Sequence, residues 1–192
     1  RALAPSHVGD EGATRSPLDG RGDPRRFLRG RLIHKLLQLL PELPDGDRAP
    51  AARRWLSRPA WALEAEEIGA LSAEVLAVLD NSAFRAVFAP GSRAEVPLVG
   101  LVGNHVVSGQ VDRLAVTDDE VLIVDYKTNR PPPRAVDLVD IAYIRQMAAY
   151  RALLAQVFPS RVARCVLLWT DGPFAMELPA ERLAEEARKL GW

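Results

Sequence analysis

The sequence predicts an α/β domain in which a helical front half leads into an antiparallel three-strand meander, followed by a helix, two strands and a last helix. Two observations predict this order. Apolar residues recur at helical spacing up to about residue 88, and after Pro90-Gly91 the pattern changes to short Val-rich runs separated by turn residues. The size fits one globular domain: 192 residues, 48% hydrophobic and 26% charged, suffice for a full core.

Residues 1–24 are rich in Gly, Pro, Asp, Ser and Arg and show no sustained period, so they read as a flexible tether. Because the chain starts at Arg1 rather than methionine, the tether is expected to join it to an upstream region, leaving residues 25–192 as the domain. The first helix, about 25–40, places Phe27, Leu28, Leu32, Ile33, Leu36, Leu37, Leu39 and Leu40 at helical spacing, and Pro41 and Pro44 end it. Further helical patterns cover 48–58, 61–80 and 82–88. Strands are expected at 93–101, 105–116 and 120–127, divided by Gly103-Asn104 and Asp118-Asp119. A helix from about 136 to 158, a strand over 162–170, a turn at Asp171-Gly172-Pro173, a short return strand and a helix over 180–190 complete the chain.

Composition removes several function classes. No apolar run approaches the ~18 residues that cross a bilayer, and the first ten residues lack a secretory apolar block, so a soluble cytoplasmic protein is expected. The single cysteine, Cys165, excludes an internal disulfide, a four-cysteine zinc site and a cysteine-ligated iron–sulfur cluster; its apolar neighbours predict a buried, inert thiol. There is no Gly-x-x-x-x-Gly-Lys loop to bind ATP. Basic and acidic residues balance at 25 each, but unevenly: residues 1–60 carry 12 and 7, residues 61–127 carry 4 and 11. An acidic centre beside an anion-binding front is one reading of that pattern, and solvated helix faces are the other.

The chemistry concentrates in Gly109-Gln110-Val111-Asp112-Arg113 and Val124-Asp125-Tyr126-Lys127-Thr128. On a strand, Asp125 and Lys127 project to one face. If the hairpin turns symmetrically about Asp118-Asp119, paired residues sum to 237 and Asp112 lies opposite Asp125; an odd-length turn would void that register. Two carboxylates ~5 Å apart repel by about 3 kcal/mol at an effective dielectric of ~20. A cation between them relieves this, either Lys127 or a hard divalent ion such as Mg²⁺ or Mn²⁺. The plainer alternative is a solvated hairpin with a surface Lys–Asp pair. Glu95, on the first strand of the meander, is a candidate for the shell around the site. His34, among Leu and Ile on the first helix, reads as a packed core residue or a ligand. Gln146 and Tyr150 share a helix face, either ordinary surface or a strip for a polyanion.

Taken together and in this order, Gly30-x-x-x-His34, Gly109-x-x-Asp112-Arg113, Asp125-x-Lys127-Thr128 and Gln146-x-x-x-Tyr150 resemble the four motifs of the RecB-like nucleases of the PD-(D/E)XK superfamily, over roughly residues 25–180. The resemblance implies a restriction-endonuclease-like core, a mixed sheet with the meander flanked by helices, carrying an N-terminal helical extension. It further implies a metal, Mg²⁺ or Mn²⁺, held by His34, Asp112, Asp125 and the carbonyl of Tyr126, with Lys127, Asp125 and Asp112 as the catalytic residues. Gln146, Tyr150, Arg113 and Arg130 would contact DNA, with Arg134 flanking the site. The likeness is greatest to the nuclease domains of AddA-type helicase–nuclease subunits, which implies a DNA exonuclease acting in double-strand break repair beside an AddB-like partner, with ATP used only in the helicase region. A catalytically silent DNA-binding or subunit-docking module of the same fold is the alternative.

Overall fold

The computed structural model describes residues 2–3 and 23–192. Three helices come first: α1 (Pro24–Leu39), α2 (Asp45–Leu56) and α3 (Ala65–Leu79). The Asp23 side chain caps α1 by accepting the N–H of Arg25, and a reciprocal Glu64/Glu67 capping box opens α3, four residues later than the periodicity suggests. Ala62, at φ 48°, sets the turn before that cap. The helix expected over 82–88 shortens to a single 3-10 turn, Ser82–Phe84, begun by the Asn81 side chain accepting from Ala83.

The meander follows as β2 (Arg93–Val102), β3 (His105–Val116) and β4 (Glu120–Lys127). Helix α4 (Ile141–Val157) crosses over to β5 (Val162–Trp169), which lies parallel to β4; β6 (Phe174–Leu178) returns antiparallel and α5 (Ala180–Lys189) closes the chain. Helix α4 starts five residues after the expected position because the Asp140 side chain takes the Ala142 N–H and fixes the helix start there. The two residues of β1 (Ala2–Leu3) pair in parallel with Val106 and Val107 of β3. The remainder of the expected tether up to residue 22 lies outside the described residues.

Among the described residues the result is a mixed six-stranded sheet between two helical layers, the α/β architecture expected from the sequence. One apolar cluster joins Leu32, Ile33, Leu36 and Leu37 of α1 and Val75 and Val78 of α3 to Val124, Tyr126, Val166 and Leu168 of the sheet. The other joins Ile144, Met147 and Tyr150 of α4 to Val107, Val111, Ile123 and Leu167 on the opposite face. In β4, Val124 and Tyr126 therefore face α1, and Ile123 faces α4. Among the described residues no helix is long and apolar enough to cross a membrane.

Candidate metal and catalytic centre

The site begins where two strands part. Pairing of β3 with β4 runs from Val116↔Val121 to Arg113↔Val124 and stops there, in the register expected from the Asp118-Asp119 turn. Beyond it β4 stays paired with β5 as far as Lys127↔Trp169, while β3 stays with β2. Asp112 and Asp125 occupy the first position past the fork. Instead of a further rung, the Asp112 carboxylate accepts the backbone N–H of Tyr126 at 2.6 Å through Oδ2.

Asp112 is also skipped on its other side. The β2–β3 ladder pairs Ala94↔Arg113 and Val96↔Val111 and omits the Glu95/Asp112 rung between them. Glu95 there has φ 54°, a left-handed conformation that side chains with a Cβ rarely adopt and that costs of order 1–3 kcal/mol. Side-chain alternation on β3 breaks at the same place. Val111 and Leu114 both join the α4-side cluster, whereas Asp112 reaches His34 of α1 and the Arg113 guanidinium lies 5.5 Å from the Phe88 ring centre.

These distortions gather three ligand-type side chains. The donor atoms of His34, Glu95 and Asp112 lie within 4.8 Å of one another, with His34 Nδ1 3.3 Å from Asp112 Oδ1. His34 projects from α1 onto the edge of the Tyr126 ring, 5.7 Å between centres at 79°. Gln110 fixes Glu95, its Nε2 donating to the carboxylate at 2.7 Å and to the Glu95 carbonyl at 3.2 Å. Burial, and then the negative charge of Asp112, raise the Glu95 carboxyl above its ordinary range. Burial also acts to raise Asp112, but the charge and hydrogen bond of His34, the Tyr126 N–H and Lys127 outweigh it and hold this carboxyl below its ordinary value. An imidazole and two mutually repelling carboxylates form a donor set that suits Mg²⁺ or Mn²⁺.

The lysine forms a second, drier group on the other face of β4. Asp125 and Lys127 are 3% and 2% exposed, and Lys127 Nζ lies 2.7 Å from Asp125 Oδ2. The ammonium also donates to Gln146 Oε1 at 3.3 Å and sits 3.7 Å from the centre of the Tyr143 ring. Gln146 Nε2 and the backbone N–H of Gln110 both donate to the Tyr150 hydroxyl, at 3.3 and 3.2 Å. A chain of hydrogen bonds therefore runs from Lys127 through Gln146, Tyr150 and Gln110 to Glu95, joining the lysine group to the three ligand-type side chains. The glycine of the Gly109 motif has a packing cause: a Cβ there would stand 2.6 Å from the Tyr150 hydroxyl.

The residues expected from the sequence thus separate into two sets. His34, Asp112 and Glu95 come together, and Asp125 turns to Lys127; the structure puts Glu95, ranked outside the ligands, among the three donors. Gln146 and Tyr150 are buried rather than spread along a surface, because the α4 face that carries them packs onto the sheet. Arg113 is buried as well, its guanidinium donating to Ser92 and lying 3.6 Å from Glu42. In this structure all three make internal contacts, Gln146 and Tyr150 within the lysine group and Arg113 with Ser92. Arg130 is half exposed and bound to Glu74 and Asp171, and the Arg134 guanidinium lies 5.7 Å from the Phe174 ring centre. Tyr143 and Gln110 were not singled out as site residues. Spacing carried a signal for Tyr143, three residues before Gln146 and seven before Tyr150 on one helix face.

A search of curated proteins finds no match. Among solved structures, the one titled "Crystal structure of SSO0001" aligns over 85% of this chain and 84% of that chain, at 19% identity and a TM-score of 0.35. The family model described as the PD-(D/E)XK nuclease superfamily matches residues 10–188, nearly the whole chain, and the protein belongs to that superfamily.

Proposed function

We propose that the protein is a divalent-metal-dependent DNA nuclease hydrolysing phosphodiester bonds. The observation that carries this reading is the convergence of His34, Glu95 and Asp112 beside the buried Asp125–Lys127 pair. His34, Glu95 and Asp112 would hold the ion; the motif order assigns Asp125 and the Tyr126 carbonyl to it as well, Asp125 being paired with Lys127 in this structure. Such an ion supplies Lewis acidity toward a phosphate oxygen and a more acidic water. Lys127 orients the attacking water and stabilises negative charge developing on the phosphate, a contribution of about 2–4 kcal/mol for a well-placed donor. Asp125 holds that ammonium in place. An ammonium suits the task better than a guanidinium, being compact enough to approach a water closely. Arg130, exposed at the strand end that follows Lys127, contributes phosphate affinity without base specificity.

The finer reading rests on the order and identity of the four sequence motifs. We place the domain in an AddA-type helicase–nuclease, as an exonuclease on double-strand DNA ends and the single strands a helicase releases, working beside an AddB-like subunit in the cytoplasm. The test is incubation of linear duplex, single-stranded DNA and RNA of one sequence with the protein and Mg²⁺ or Mn²⁺, beside EDTA and Lys127→Ala controls. Metal-dependent DNA degradation by the wild type alone is expected. Equal degradation by both proteins overturns the role of Lys127, and none by either favours a silent DNA-binding module.

A further inference from the structure

We propose that the cleft between α1, α3 and the segment after β4 is a subsite for single-stranded DNA, taking one unstacked base of the strand that leads to the metal and catalytic centre. The proposal deepens the nuclease reading of that centre and rests on it. Among the described residues the cleft has a volume of about 700 Å³, within the range of pockets that hold small ligands. Its apolar lining comes from Leu28 of α1, Leu71 of α3, and Trp61 and Leu63 between α2 and α3. Its basic lining comes from α1, which includes Arg25 and Arg29, and from Arg130. An aromatic, apolar surface beside guanidinium groups matches the two parts of a nucleotide, a flat base with a π face and a phosphate.

The acidic side chains of the cleft are spent on its own framework. Asp23 caps α1, Glu67 accepts from Arg25, and Glu74 accepts from Arg29, Arg130 and Thr170. Arg25 is 74% exposed and Glu67 35%, and an exposed pair of this kind contributes little and yields readily to a phosphate. Trp61 is set in advance. Its indole N–H donates to the Trp55 carbonyl at 3.0 Å and its ring lies 5.0 Å from that of Trp55, so little side-chain freedom is lost when a base stacks on it. Position ties the cleft to the chemistry: Thr128, part of its lining, directly follows Lys127 and accepts from Arg29 at 3.0 Å through its carbonyl. Along α1, Arg29 precedes His34 by five residues, about 8 Å of helix rise. A strand with one phosphate at the His34 centre is therefore long enough to reach the cleft with a nearby nucleotide. Only an unpaired base can enter, because a duplex keeps its bases stacked inside.

The test measures binding of a fluorescein-labelled single-stranded oligonucleotide by anisotropy in EDTA, where metal-dependent cleavage does not proceed. Trp61→Leu removes the stacking surface. Ala70→Glu, at an exposed position of α3 that lines the cleft, adds bulk and negative charge without touching the core, and Ala77→Glu adds the same charge to α3 outside the cleft. Trp61→Leu and Ala70→Glu should each weaken binding about tenfold, and Ala77→Glu less than twofold. With the same sequence as a blunt duplex, Trp61→Leu should bind within twofold of the wild type. Wild-type affinity in Trp61→Leu or in Ala70→Glu overturns the proposal, as do equal losses at positions 70 and 77, equal losses of Trp61→Leu on single strand and duplex, or a wild type that binds no single strand. Cleavage with Mg²⁺ decides the nuclease reading separately: a protein that binds as expected yet cleaves nothing upholds the subsite and overturns only that reading.

Discussion

Asp112 takes the backbone N–H of Tyr126 on one carboxylate oxygen and faces His34 with the other, at the position where β3 and β4 stop pairing. The carboxylate does the work of a missing ladder rung, which separates its structural role from its charge. Asp112→Ala leaves the Tyr126 N–H without its acceptor and should lower stability by about 1–3 kcal/mol. Asp112→Asn retains an acceptor and should melt close to the wild type in EDTA. Only the wild type should then gain thermal stability on adding Mn²⁺, since binding to the native state alone raises it by mass action. Melting scans with EDTA and with Mn²⁺ distinguish the two roles; an Asn variant that is still stabilised by Mn²⁺ removes Asp112 from the ligands.

Gln110 should govern metal affinity without touching the metal. It grips Glu95 twice, at the carboxylate and at the carbonyl of a residue held in a left-handed conformation. Partners that orient ligands typically account for 10–100-fold in affinity. Gln110→Ala is therefore expected to weaken Mn²⁺ binding by about that factor in calorimetry, with circular dichroism unchanged. Unaltered binding would show that the backbone alone fixes Glu95.

Breaking the buried ion pair should cost stability as well as cleavage. In Lys127→Met the Asp125 carboxylate keeps its burial and loses its counter-charge, a change worth about 3–5 kcal/mol in other buried pairs. Adding Asp125→Asn removes the stranded charge, so the double variant should recover most of the loss in urea denaturation while staying inactive. A double variant no more stable than Lys127→Met would mean that the pair is not what balances this interior.

Much of this architecture was legible in the sequence because periodicity reports burial directly. The Leu-rich spacing of α1 and the Val-rich runs of the meander correspond to the two faces of one sheet, and a symmetric turn at Asp118-Asp119 gave the register as far as Arg113↔Val124. What periodicity cannot report is where a ladder ends. Asp112 and Asp125 were expected to face each other across a rung; the strands fork there, so each carboxylate finds its own partner, the His34 imidazole for one and the Lys127 ammonium for the other. Glu95 was hard to rank because its placement depends on a backbone conformation that nothing in its neighbours requires. Gln146 and Tyr150 were hard to place for another reason. Both are polar enough to pass for surface, and only the packing of α4 shows that their hydrogen bonds are spent inside.

Two glycines close to α4 should respond differently to alanine. At Gly109 a methyl group would meet the hydroxyl, Cε1 and Cζ of Tyr150 at 2.6, 2.8 and 3.0 Å, and that ring is held by Gln110 and Gln146. At Gly100 its nearest neighbours would be atoms of the Leu153 side chain, a flexible aliphatic group rather than a hydrogen-bonded ring. Gly109→Ala is therefore expected to cost about 1–3 kcal/mol through overpacking and to depress cleavage by displacing Gln146 from Lys127. Gly100→Ala should cost less and cleave normally. Denaturant titration and initial rates on both variants test the contrast, and a Gly109→Ala protein with wild-type rates would detach Tyr150 from the lysine group.

Cys165 provides a pH signature independent of the site. It lies buried in β5 with its thiol directed to the Met147 carbonyl at 3.6 Å, and burial pushes its pKa up to about 12 from an ordinary 9.0. A thiol that does not ionise does not attack, so the native protein at pH 8.5 should resist a thiol reagent that labels the unfolded chain once. The same shift makes stability fall at alkaline pH. Below about pH 9 both states carry the proton; above it the unfolded chain releases the proton while the folded one keeps it, so the loss begins near 9 and continues until the folded thiol titrates near 12. At pH 10 the difference amounts to about 1.4 kcal/mol, from one unit past the ordinary value at 1.36 kcal/mol per unit. Tyr126, whose phenol is raised well above 10 by burial and then by Asp112, bends the alkaline curve in the same direction. Comparing wild type with Cys165→Ala cancels the tyrosine and leaves the thiol. The wild-type advantage in urea denaturation should shrink by about that amount between pH 7.5 and 10, and an advantage that stays constant would place the thiol in contact with water.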